Sequence, residues 1–289
     1  MQFREEQTRT VKHCPVCLAP VAFVRETGEQ NGYRIISDVQ GETFSVDGYV
    51  VEKGTLVRYE GTEKKLHTPK GVLAIGQDAF RDNRTAREIV VTDGVLYVGE
   101  NAFYGCDGVR NLTLPESVVA IGHYAFRECR RLKTLALPKG LRAAGYNLFH
   151  SCDNLTEADV PMNMEFLAGT PHSFCRSLRR VHIPHCVTDT AQWLTYADRV
   201  EQIVFGQGVY WLDNMGPPRL QEAYFTVPDG WRVRGSLFSQ HEESISADDL
   251  RNPKKAALLL KKYEKEGKTI YRPRDPFTDD GYWLKLYEE

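Results

Sequence analysis

One interval dominates this chain. Phe80, Phe103, Phe126 and Phe149 stand 23 residues apart, and Ala79, Ala102 and Ala125 precede the first three. Gly76, Gly99, Gly122 and Gly145 keep the same step, preceded by Ile75, Val98, Ile121 and Ala144. The longest file is Pro69, Thr92, Pro115, Pro138, Pro161 and Pro184, which Gly206 and Pro228 extend at a step of 22. Upstream of the prolines, apolar residues follow L-x-x-L-x-L, as in Val109, Leu112 and Leu114, then Leu132, Leu135 and Leu137, then Leu178, Val181 and Ile183. Self-similarity at such a period requires a stack of like units.

Elementary geometry shapes the unit. Alternation in L-x-x-L-x-L turns two apolar residues inward and their neighbours outward. Proline ends the strand because it has no N–H for the ladder. A second extended piece lies around Ile121-Gly122, where glycine permits a tight bend, and a compact turn or short helix carries Phe126. A lone unit cannot bury its apolar side, so neighbours stack at about 4.8 Å per rung.

The unit L-x-x-L-x-L-P-x-x-V/L-x-x-I-G-x-x-A-F-x-x-C-x-x-L, clearest from Leu112 to Leu135, resembles the BspA-like leucine-rich repeat, and the likeness runs from about Leu66 to Phe238. The resemblance implies a solenoid of bacterial type, and with the 23-residue step and the flanks the expected fold is an α/β solenoid with an N-terminal β-rich cap and a C-terminal helical cap. Four segments follow: 1–32 holding a Cys-x-x-Cys, 33–65 as the β-rich cap, 66–240 as the solenoid, and 241–289 as a helix and aromatic tail. The pattern loosens towards its end, where His172 and Thr195 take the phenylalanine places and Trp193, Leu194 and Trp211 fall out of step.

The flanks read as covers for open ends. Tyr33 to Tyr59 alternates, with Gly48 and Gly54 as turns, and Gly54 to Tyr59 followed by Gly61-Thr62 resembles the strand leading into a first BspA-like repeat. Near the other end, Asn252 is an N-cap, Pro253 a first helical residue and Gly267 a C′ residue. Ala256, Leu259, Leu260 and Tyr263 form its apolar stripe, and lysines hold the other faces. In the tail, Tyr271, Phe277, Tyr282, Trp283, Leu286 and Tyr287 are expected to pack back on the body; left exposed, they would be a recognition patch.

A formal net charge of -2 gives no field to draw the whole molecule onto nucleic acid or anionic lipid. The opening Met-Gln-Phe-Arg-Glu-Glu holds no apolar run, and no stretch is pure enough to span a membrane, so the expected location is cytoplasmic. Seven cysteines, an odd number, then read as reduced thiols.

Four constellations carry chemistry. His13-Cys14-Pro15-Val16-Cys17 is one knuckle of a zinc ribbon, but a tetrahedral site needs two more ligands and no second Cys-x-x-Cys follows. Leu18 also stands where such a knuckle carries glycine. The preferred reading is two reduced thiols with no cofactor; the other is zinc held by Cys14, Cys17, His13 and a further residue such as Cys106. Cys106, Cys129, Cys152 and Cys175 repeat at 23 and read as buried, small, weakly hydrogen-bonding side chains, with Asn83 in the first place of the file. His172, Cys175, His182, His185 and Cys186 share one repeat without the spacing of a metal site.

The fourth is the outward strand face. Its first exposed position reads Arg87, Arg110, Lys133, Thr156, Arg179 and Glu201, with Arg180 and His182 beside Arg179. Stacking aligns these into a basic stripe that Glu88, Glu157 and Asp159 partly neutralise. Base-stacking aromatics are not interleaved with it, which argues against nucleic acid. Phosphate loops, nucleophile elbows and metalloprotease motifs are absent, arguing against an enzyme and a small-molecule ligand. The expected function is a non-catalytic scaffold that binds a protein partner. The alternatives are a zinc-dependent adaptor using the Cys-x-x-Cys and, as the resemblance implies for secreted members, a surface adhesin.

Overall fold

The computed structural model describes residues 41–190, 192–213, 215–235 and 242–273, with the backbone of three further strands, Thr8–Val11, Val21–Glu26 and Gly32–Ser37. Those three pair antiparallel as a meander.

From Lys65 onward the chain winds as a solenoid, most turns laying down two short strands; the turn of Arg180–Ile183 has a single bridge, Asp189 to Trp211, in place of the second. The first strands, among them Lys65–His67, Glu88–Val90 and Asn111–Thr113, carry the L-x-L core. The second strands, such as Tyr97–Val98, Ala120–Ile121 and Ala143–Ala144, precede the glycine file. Every pairing between these rungs is parallel and keeps the repeat register, as in Leu112 opposite Ile89 and Ile121 opposite Val98 and Ala144. The second strands form an unbroken ladder from Ala74–Ile75 to Phe166–Leu167. The first strands form two ladders, one ending at Asn111–Thr113, the next running from Thr134–Ala136 through Glu157–Asp159, Arg180–Ile183 and Gln202–Phe205 to Glu222–Phe225.

The glycine file is dictated by contact between rungs. The Gly122 amide donates to the Val98 carbonyl at 2.7 Å, and a Cβ built on Gly122 would lie 2.6 Å from the Glu100 backbone nitrogen. Only glycine lets one turn press its backbone so closely on the next. The phenylalanines fill the space behind it. Rings 80, 103, 126 and 149 stack with centroids 5.1, 5.7 and 5.7 Å apart, all fully buried.

The loosened end resolves into shorter steps. His172 continues the ring stack at 5.6 Å from Phe149, and the following place is filled by buried Trp193 at 6.0 Å, so Thr195 is not the successor. Arg180 lies opposite Gln202 but Gln202 opposite Glu222, a step of 20 in the last turn. Phe225 then matches Phe205, which puts Thr226 beside Gly206 and takes Pro228 out of the proline file. Shorter turns at this end leave less room for a phenylalanine at a fixed offset.

Both open ends are covered. Before the first turn, Phe44–Val46, Tyr49–Glu52 and Thr55–Tyr59 form two hairpins. Their two-residue turns, Asp47-Gly48 and Lys53-Gly54, have positive φ at both positions, the geometry that matches strand twist. Thr55–Tyr59 pairs parallel with Ala74–Ile75 and so extends the second ladder. At the far end, α1 (Ala247–Arg251) and α2 (Pro253–Lys265) lie against Glu222–Phe225. Asn252 caps α2 by accepting the Lys255 N–H at 3.1 Å, Pro253 stands in its first turn, and Gly267 follows with φ +64. Ala256, Ala257, Leu260 and Tyr263 are the buried face, with Leu259 half-buried at its margin. Among the described residues no helix is long and apolar enough to cross a membrane.

Candidate functional site

The first-strand face is where the solenoid displays side chains in files. Backbone bonds run from Arg110 N–H to Arg87 C=O at 2.9 Å, Thr156 to Lys133 at 2.8 Å, Arg179 to Thr156 at 3.0 Å and Glu201 to Arg179 at 2.8 Å. The expected stripe is therefore bonded in two runs, Arg87 to Arg110 and Lys133 through Thr156 and Arg179 to Glu201, on steps of 23 and then 22.

Its charges are unequal. Arg87 is folded back, its guanidinium donating to the carbonyls of Arg84, Thr85 and Ala86 at 2.7, 2.9 and 3.1 Å, over the space left by Gly108. Arg179 meets Glu201 at 3.0 Å and Arg180 meets Glu157 at 2.7 Å. His182 Nδ1 lies 3.6 Å from Asp159. Further along, Gln202 and Tyr224 both donate to Glu222 at 2.9 Å, and these hydrogen bonds hold its carboxyl below the ordinary range. That end of the face is a closed network.

Arg110 and Lys133 differ. Both are exposed, and neither has an ion pair or side-chain hydrogen bond among the described residues. They flank the break between the two first-strand ladders, where Asn111–Thr113 and Thr134–Ala136 run side by side without ladder pairing. Arg131, two residues before Lys133, is exposed and similarly unpartnered. The net positive part of the face is thus short and central.

The remaining candidates separate. Each file cysteine donates its S–H to the phenylalanine carbonyl of the preceding turn: Cys106 to Phe80, Cys129 to Phe103, Cys152 to Phe126 and Cys175 to Phe149, at 3.0 to 3.1 Å. Burial pushes the Cys106 and Cys175 thiols up to about 12, and those of Cys129 and Cys152 well above their ordinary value. Thiols so placed are not nucleophiles. Asn83 fills its place differently, its side-chain oxygen accepting from Thr85 and Ala86 N–H groups. His172 is stacked in the core and His185 Nδ1 accepts the Gln207 N–H at 2.9 Å, so the His and Cys residues of that repeat do not converge. Among the described residues no group of three His, Cys, Asp or Glu side chains could hold a metal ion. His13, Cys14 and Cys17 lie outside the described residues, as do Phe277, Tyr282, Trp283, Leu286 and Tyr287.

Two exposed aromatics escaped the sequence reading. Tyr224 projects from the last first-strand, and Tyr196 ends a ring row, Phe174 standing 4.8 Å from His150 and 4.7 Å from Tyr196. Their spacings, 24 and 22, are uneven, which hid the row from a fixed-period search.

A stack of like turns, parallel ladders in register and a core of repeated rings define a leucine-rich-repeat scaffold. The sequence model of the BspA type leucine rich repeat region matches residues 62–213 in six copies, just over half of the chain, and the chain belongs to that family. The structure is similar to that of the leucine-rich repeat protein of T. pallidum, with 23% identity, a TM-score of 0.52, and coverage of 62% of this chain and 91% of that one. It is also similar to a leucine-rich repeat protein from Bacteroides capillosus (23% identity, TM-score 0.36, 44% of this chain and 99% of the other). The pneumococcal vaccine antigen PcpA matches at 18% identity and TM-score 0.44, over 64% of this chain and 42% of its own. No curated protein sequence matches the chain.

Proposed function

We propose that this protein is a non-catalytic scaffold that binds an acidic protein partner along its first-strand face, with Arg110 and Lys133 at the centre of the contact. One observation carries the reading. Arg179, Arg180 and His182 face carboxylates of neighbouring turns and Arg87 is bound to its own backbone, whereas these two side chains stand exposed and unmatched at the break between ladders. Solenoids bind along such extended faces because each turn adds one more outward position to a rigid row. Unpaired, solvated cations raise association rates with a partner of opposite charge and need no desolvation of an existing ion pair. Arg179, Arg180 and His182 contribute to shape rather than to charge, because Glu201, Glu157 and Asp159 already face them.

Affinity capture from the native cell tests this. The double variant Arg110→Glu, Lys133→Glu is expected to lose a partner that the wild type retains, by tenfold or more, with an unchanged melting temperature. Full retention of every wild-type partner by that variant contradicts the reading. Arg87→Glu, which removes a guanidinium engaged with its own backbone, is expected to lower stability instead of selectively releasing the partner.

A further inference from the structure

The helix α2 has two faces, and the second is largely exposed, with Glu222 near Lys254 at its start. Lys254, Leu258, Lys261 and Lys265, at i, i+4, i+7 and i+11, share one stripe opposite the buried residues, with Lys255 and Lys262 at its borders. Leu258 is 63% exposed, the highest among the large hydrophobic side chains of the described residues. Lys255 reaches Asp249 at 3.2 Å and Lys262 lies over the Tyr263 ring at 5.4 Å. Lys254, Lys261 and Lys265 have no ion pair or hydrogen bond among the described residues. The helix's own carboxylate, on Glu264, is turned away to accept the Gly216 N–H, and Glu266 pairs with Lys268 at 2.9 Å. Like charges one turn apart repel, so this face is built against the interest of the isolated helix.

Residues 274–289 carry the complementary chemistry. They hold Asp275, Asp279, Asp280, Glu288 and Glu289 against Arg274 and Lys285, together with four aromatic residues. The segment follows Thr269–Tyr271, a strand paired with Trp211–Leu212 and Arg232–Arg234 next to α2. Its length extended is about 50 Å, and α2 is about 20 Å long, so the segment can run the whole helix from where it is attached.

We propose that residues 274–289 dock on the lysine face of α2 in the same chain, their carboxylates on Lys254, Lys261 and Lys265 and their aromatic rings over Leu258. The contact meets the first-strand face only at Lys254, whose charge acts on Glu222, and does not depend on Arg110 or Lys133. A lipid surface is the less suited occupant: the apolar side of α2 is already buried on the solenoid, which leaves Leu258 alone to insert.

The test uses the full chain. In a mixture of isotopically light and heavy protein, a zero-length carbodiimide is expected to join Lys254, Lys261 or Lys265 to acidic residues of 275–289 within one chain. Amide exchange across 274–289 is expected to speed up tenfold or more in Lys254→Glu, Lys261→Glu, Lys265→Glu. The variant Asp275→Lys, Asp279→Lys, Asp280→Lys, which leaves the helix untouched, is expected to do the same, and combining the two reversals to restore protection. Exchange equal in wild type and both variants overturns the proposal. So do links found only between light and heavy chains, which would assign the face to a second copy. Sedimentation of the wild type with phosphatidylserine vesicles through these lysines overturns it in favour of a membrane.

Discussion

His172 stands where a phenylalanine stands in the four turns before it, fully buried, its ring stacked on Phe149. Neither ring nitrogen has a hydrogen-bond partner, and burial pushes its pKa from 6.5 down to about 4. The unfolded chain takes up a proton near pH 6.5 and the folded chain only near 4, so between those values the unfolded state binds more protons. Stability conferred by the neutral ring is present above pH 6.5 and falls as pH drops, by about 3 kcal/mol once pH passes below 4. His172→Phe is expected to remove that part of the acid loss and to be at least as stable at pH 7. Denaturant unfolding at pH 7 and pH 4.5 measures it, and an identical pH dependence in both proteins contradicts the assignment. The cysteine file makes a parallel case. Cys129→Ala leaves the Phe103 carbonyl with the Cys106 N–H at 3.3 Å as its one donor and is expected to cost about 1 kcal/mol, read from the same unfolding curves. A native-state thiol assay should find Cys106, Cys129, Cys152 and Cys175 silent until the protein unfolds; their prompt modification would refute the burial described here. That these four were structural was legible from their period alone. Their donation to the carbonyl of the previous turn was not, because that partner lies 26 residues away.

At the scale of the element, the first and second strands were legible wherever the step held at 23, since period and alternation there point the same way. The hairpin turns at Gly48 and Gly54 and the ends of α2 were also legible, each from one residue with a strong local preference. α1 was not anticipated; five residues behind Ser246, with Asp248 and Asp249 in the first turn, give too short a pattern to stand out. The charge state of the candidate face was only half readable. Sequence places Arg179 and Arg180 in a basic stripe, but Glu201 and Glu157, 22 and 23 residues distant, neutralise them only once register is known. Glycine in the second bend is the element's strictest requirement. Gly122→Ala would set a Cβ 2.6 Å from the Glu100 nitrogen and 2.8 Å from the Gly99 carbonyl carbon, neither of which can yield as a side-chain tip does. Loss of about 2 kcal/mol or more is expected, with faster amide exchange in the turns on either side. Gly94→Ala, where no atom lies within 4 Å but φ is +97, should bring strain without disturbing neighbouring turns. Equal and purely local effects of the two substitutions would contradict this.

For the whole molecule, the decisive property is that every turn contacts only its neighbours, so a single elongated core joins Tyr49 at one cover to Tyr263 at the other. Such a core fixes the spacing of outward side chains and leaves their identity free, which is why the sequence disclosed the scaffold far more readily than its partner. The break between first-strand ladders and the paired charges beyond it belong to the assembled stack and to no single repeat. What everything else assumes is that row of rings in the interior. In protein with ring-labelled phenylalanine, nuclear Overhauser contacts are expected between Phe80 and Phe103, Phe103 and Phe126, and Phe126 and Phe149, at separations matching centroid distances of 5.1 to 5.7 Å. A spectrum lacking these sequential contacts, or joining Phe80 directly to Phe149, would contradict the stacked solenoid.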